Sequence, residues 1–272
     1  DRADDQGRRR RIRAVRTIEQ SNDSPGHGAS ERNQEGMIIA GNSHNYPYVH
    51  GMSLKPLGIS FASASDEAFA DDHILRGKNY TFVDYILGLE KQTKCGIQTR
   101  YNVLDNKTIE ALSDYLERGG RLFISGAYLA SELYENQSRG EVEKQCVDSV
   151  ICEVKPNYKE DFAAKYLHFS LNAPYLSDAC TLNPSIRTDC PFKASYNWNQ
   201  EISQYQYPVY TFDAIDKQNG GMILMRYLEN GLTAVIGYKG KHRTMVSCIP
   251  FEAISKESKR NAFMKAVVKW LK

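Results

Sequence analysis

One stretch restricts the possible folds of this chain more than any other. "FVDYILG", Phe82 to Gly88, is a short apolar run closed by glycine, and fits a buried strand. "LDNKTIEALSDYLERGG" follows, in which Asp105 or Asn106 can cap a helix whose Ile109, Leu112 and Leu116 recur at helical spacing. Gly119-Gly120 ends that helix, and "RLFIS" then reads as the next strand. Two strands with a helix between them cannot pair as a tight hairpin. They predict a parallel crossover and an α/β fold.

The same alternation extends outward. "MIIAGN" at 37–42 and "GISFASAS" at 58–65 read as two earlier strands. Strands alternating with helices predict a doubly wound, mainly parallel sheet with flanking helices. Residues 1–36 hold few large apolar side chains and carry "RRRRIR", so they read as a polar linker or edge segment. Residues 37–272 then form a single α/β domain. In the middle, "VIC", "KYLHFSL" and "VYTFDAI" are possible strands between loops rich in Pro, Asn and Tyr. The C-terminal third holds three apolar runs, the first two joined by Asn230-Gly231, a strong hairpin signal. These predict antiparallel additions to the sheet. Lys256 to Leu271 carries Phe263, Val267, Trp270 and Leu271 at helical spacing and reads as an amphipathic closing helix.

Composition excludes several functions. A net charge of +2 over 272 residues gives no argument for nucleic acid or a membrane surface as partner. No apolar run approaches the roughly 20 residues of a membrane-spanning helix. The first residues lack an apolar signal core, so the chain is either cytosolic or has lost a signal. Six cysteines, Cys95, Cys146, Cys152, Cys180, Cys190 and Cys248, show no metal or redox spacing. Cys146–Cys152 and Cys180–Cys190 are the pairs nearest in sequence.

"IAGN", the helix running into "YLERGGRLFISGAY", and the late "SCIPFEAI" before the closing helix resemble the class I glutamine amidotransferase-like fold. The segment "SPGHGAS…IIAGNSHNYPYVHG…GISFASASDEA" is similar to a branch found in Bacteroidetes cell-surface proteins, many labelled xanthan lyase. The resemblance spans roughly residues 21–272. It implies a Rossmann-like, doubly wound sheet and an extracytoplasmic setting within a longer protein. It also implies where a triad would stand. The nucleophile belongs on the turn Gly126-Ala127-Tyr128, the base and acid at Pro250-Phe251-Glu252. Tyr128 replaces the nucleophilic cysteine and Pro250 the histidine, so only Glu252 survives. A phenol with a pKa near 10 is mostly protonated at neutral pH, and proline has no proton acceptor. Glu252 is expected to be satisfied by backbone donors at the start of the closing helix.

Ligands of open α/β sheets bind at the carboxyl ends of the strands. The residues expected there are Asn42, Ser43 and His44, then Ser63, Ser65, Asp66 and Glu67, then Glu90, and finally Ser125 and Tyr128. His44 with Ser125 or Ser65 and Asp66 would make a serine-type constellation on paper. His44 and His50 with Asp66 or Asp71 could bind a metal, but no metal-motif spacing supports it. "YPYVHG", Tyr46 to Gly51, could stack a sugar ring or could be a loop pinned by its own aromatics. Phe192, Tyr196, Trp198, Tyr205, Tyr207 and Tyr210 form an aromatic-rich surface suited to carbohydrate or protein, or cover one face of the sheet.

The expectation is a non-catalytic binding or accessory domain, glycan-related, with a degenerate triad, no cofactor and no metal. Its partners are glycan or neighbouring modules. A hydrolase using the same crevice and a spacer between modules are the alternatives.

Overall fold

The computed structural model describes residues 12–14, 46–71, 75, 80–90, 93–95, 98–101, 104–138, 158–177, 181–184, 196–197, 209, 211–254 and 256–272. The expected strand at 37–42 and the run at 150–152 lie outside them. So does most of the 1–36 segment, in which β1 (Ile12–Ala14) pairs in parallel with β2 (Ala62–Ala64).

The β3 strand (Val83–Gly88), helix α3 (Asn106–Glu117) and strand β6 (Arg121–Gly126) form the expected unit, with β3 and β6 parallel. Asp105 caps α3 by accepting a hydrogen bond from the Thr108 amide at 2.8 Å. Gly119 leaves the helix at φ 86°, a left-handed conformation that glycine adopts without penalty. Both faces of β6 are covered. Phe123 faces one hydrophobic cluster, Leu122 and Ile124 the other.

Beyond this unit the sheet differs from a doubly wound one. Its seven strands run in the order β3-β6-β13-β12-β11-β8-β9, with β8 Thr181–Pro184, β9 Tyr196–Asn197, β11 Met222–Tyr227, β12 Thr233–Lys239 and β13 Arg243–Ser247. Among the described residues only β3–β6 and β6–β13 are parallel in this sheet, and its other four pairings are antiparallel. The expectation of a Rossmann-like, mainly parallel, doubly wound sheet is therefore wrong. The physical reason is local. Asn230-Gly231 and Gly240 make turns of a few residues, and such turns can only return a chain antiparallel. Gly231 has φ 72°, and the Asn230 side-chain carbonyl accepts from the Leu232 amide at 2.9 Å. The run at 169–176 (β7) never joins the sheet. It pairs antiparallel with β10 (Phe212–Lys217) as a separate ribbon. β4 (Thr93–Cys95) and β5 (Gln98–Tyr101) form a small hairpin of their own.

Helices α1 (Tyr46–Leu54) and α6 (Glu257–Leu271) pack on one face of the sheet, where Phe123, Val235 and Met245 meet Phe251, Phe263 and Trp270. A Cβ at Gly237 would stand 2.5 Å from the Trp270 ring, so glycine permits this close approach. The other face carries α3, α4 (Leu129–Ser138) and α5 (Tyr158–Phe162), which continues as a π-helical turn, Ala163–Leu167. The short α2 (Asp66–Asp71) buries Phe69 there too. Among the described residues no helix is long and apolar enough to cross a membrane.

Candidate functional site

The turn after β6 is built tightly. The Ala127 amide donates to the Gly88 carbonyl at 2.8 Å, and the Ala127 carbonyl accepts from the Asp213 amide at 2.9 Å. Tyr128, at the expected nucleophile position, is half-buried. Its hydroxyl shares a hydrogen bond with the Thr211 hydroxyl at 3.0 Å, and its ring lies 5.7 Å from that of Tyr175. The β7–β10 ribbon thus covers the turn.

That ribbon also fills the helix start. Asp213, fully buried on β10, accepts from the Ser131 amide at 2.7 Å and the Ser131 hydroxyl at 3.0 Å. The Tyr175 amide donates to its other oxygen at 3.3 Å. Burial pushes the Asp213 carboxyl up to about 6, and the bonds from Ser131, Tyr175 and Ala130 oppose that rise. The first turn of α4, which in an elbow of this kind would receive a developing oxyanion, already holds a carboxylate. Cys248 lies nearby but is fully buried and free. Burial first, and the Asp213 charge second, push its thiol well above the ordinary range.

A second polar cluster lies on the α1/α6 face. His50 contacts Asp84 on β3 through Nδ1 at 2.9 Å and Glu252 through Nε2 at 3.1 Å, and none of the three side chains is exposed. Glu252 stands in a 3-10 turn, Phe251–Ala253, ahead of α6 and not in the helix itself. His50, 202 residues away, is one partner of Glu252. Both ring nitrogens of His50 are engaged, so His50 has no lone pair to offer a metal. The two contacts require a proton each. The trio therefore holds one proton more than a neutral imidazole and two carboxylates.

Among the described residues, the other candidates stand in separate settings. Asn42, Ser43 and His44 lie outside the described residues. Ser65 caps α2, its hydroxyl accepting from the Ala68 amide at 3.3 Å, and Asp66 opens that helix. Glu90 is buried just past β3. Ser125 is sealed inside the sheet, aligned with Ile86 and Ser247 on the adjacent strands, and its Oγ has no hydrogen-bond partner among the described residues. Tyr196 is on β9, while Phe192, Trp198, Tyr205, Tyr207 and Tyr210 lie outside. Among the described residues no three His, Cys, Asp or Glu side chains gather to hold a metal.

An open groove of about 950 Å³ runs between α3 and the α5–π segment. Asn106, Glu110 and Asp114 line it from α3, and Asp161 and Lys165 from the other wall. Ile109, Phe162 and Tyr166 form its nearly buried floor. Two lining residues are held by histidines: His168 Nδ1 donates to the Asn219 carbonyl at 2.8 Å, and His242 Nε2 to the Tyr166 carbonyl at 3.1 Å. The two histidines meet through Nε2 atoms 3.3 Å apart. Those carbonyl bonds fix the tautomers, leaving His168 Nε2 as the acceptor. Burial holds both histidines below the ordinary range, consistent with a neutral pair. The one signal available beforehand was the spacing of Asn106, Glu110 and Asp114 along a single face of α3.

No protein-family model and no curated protein matches the chain. Among solved structures, it is similar to the exo-β-1,4-mannosidase Op5Man5 from Opitutaceae bacterium strain TAV5, at 10% identity and a TM-score of 0.49, covering 94% of this chain and 36% of that one. It is also similar to the mmIFT52 N-terminal domain, at 11% identity and a TM-score of 0.45, covering 96% of each chain. The chain thus spans about a third of the mannosidase's length. Neither likeness is strong enough to bear on fold or function.

Proposed function

We propose that the chain is a non-catalytic binding or accessory domain of an extracytoplasmic, cell-surface protein, with glycan as its ligand class. One observation carries this reading: the Asp213 carboxylate fills the first turn of α4, beside a tyrosine where the resembled amidotransferase-like proteins need cysteine. The amides of Ala130 and Ser131, which would otherwise face a nucleophile's oxyanion, are already taken by Asp213. The sealed His50 trio supports the same reading, since its only histidine has both nitrogens committed to carboxylates. Ser125 offers no hydrolase in compensation, because its hydroxyl is buried away from solvent. Neighbouring modules of a longer chain are the other partner class that this reading allows.

The test uses the purified chain. Ammonia release from glutamine and reducing-end release from polysaccharides should stay at background, while calorimetry with oligosaccharides should detect binding. Turnover that disappears in Tyr128→Phe or Ser125→Ala would overturn the non-catalytic reading.

A further inference from the structure

We propose that the groove between α3 and the α5–π segment is the ligand site, and that it takes a neutral or amine-bearing sugar and rejects an acidic one. This rests on the glycan-binding reading above. The volume, about 950 Å³, is at the upper end for small-molecule sites and leaves room for more than one sugar ring.

The chemistry of the lining selects the ligand. Glu110, Asp114 and Asp161 put three carboxylates on the groove, and no hydrogen bond or ion pair holds Glu110 or Asp161 among the described residues. The one lysine of the lining is already engaged. Lys165 Nζ donates to Glu117 Oε1 at 2.9 Å and to the Tyr166 hydroxyl at 2.8 Å. Carboxylates only accept hydrogen bonds, so an acceptor-rich groove needs a donor-rich ligand. Sugar hydroxyls and ammonium groups donate. A uronic acid would instead bring a further negative charge beside those of Glu110 and Asp161. The amides of Asn106 and Asn219 and the hydroxyl of Ser113 supply mixed donors and acceptors, and the apolar floor suits the apolar face of a sugar ring.

The experiment titrates the ¹⁵N-labelled full chain with a cello-oligosaccharide, a chitosan oligosaccharide and an oligogalacturonate, following backbone amide shifts. The first two should shift Ser113, Ala164 and Asn219, and the third should not. Loss of two charged hydrogen bonds predicts that Glu110→Gln with Asp161→Asn weakens the chitosan oligosaccharide about a hundredfold. Both residues are exposed, so the unfolding midpoint of that variant should match wild type. Shifts confined to another surface would overturn the groove while leaving the glycan reading intact. Oligogalacturonate binding in the wild-type groove would overturn the charge selection. No shift with any of the three would overturn both the groove and the glycan reading.

Discussion

The two faces of the sheet treat their carboxylates in opposite ways. On the α1/α6 face, Asp84 and Glu252 are fully buried and share one histidine. On the α3/α5 face, Glu110, Asp114 and Asp161 stay in water around an open groove. Moving a carboxylate out of water costs several kcal/mol, so the first arrangement survives only while each charge keeps its partner. The second costs almost nothing and leaves Glu110 and Asp161 available to a ligand. A polar cluster in the core is thus no better evidence of chemistry than one on the surface. What separates them is whether a substrate could reach the atoms.

The largest effect belongs to the sealed face. His50→Ala would take from two buried carboxylates the partner they share, and should cost about 3–5 kcal/mol of stability in denaturant unfolding. A loss below about 1 kcal/mol would mean that water enters the trio. Next comes Asp213. Its folded-state carboxyl titrates at about 6, above the ordinary value of 3.8, so the folded state binds the extra proton more tightly. Its contribution is therefore most favourable below about pH 4 and is lost as pH rises to 6, by about 3 kcal/mol from a shift of this size. Asp213→Asn should remove that drop from the pH profile. A variant that keeps it would assign the titration to another group.

These regions were unequally legible in the sequence. The β3–α3–β6 unit and the Asn230-Gly231 hairpin carry local signals, a cap, a glycine stop and a two-residue turn, and local signals survive folding. The error in sheet type came from extending one crossover to the whole chain, although the turns at Asn230-Gly231 and Gly240 already required antiparallel strands. Glu252 could be placed at the end of a strand, but nothing local indicates a histidine 202 residues earlier. Asp213 gave no sign of filling α4, because that contact depends on the β7–β10 ribbon folding over the turn. The groove needed a π-helical wall, which has no sequence pattern of its own.

The smallest effect sharpens the contrast between buried and available polar groups. Ser125 Oγ is buried with no hydrogen-bond partner among the described residues, between Ile86 and Ser247 on the neighbouring strands. A buried hydroxyl of this kind bears a desolvation penalty that no bond offsets, about 1–3 kcal/mol at full cost. Ser125→Ala removes the penalty but leaves a small void, so the net change should be a stabilisation of at most about 1 kcal/mol. The hydrolase alternative makes a different prediction for the same variant, namely loss of turnover. Unfolding midpoints and an activity assay on this one protein therefore separate a polar atom left over from packing from one placed for chemistry. A destabilisation above about 1 kcal/mol would show that the hydroxyl has a partner, and would move Ser125 into the same class as the His50 trio.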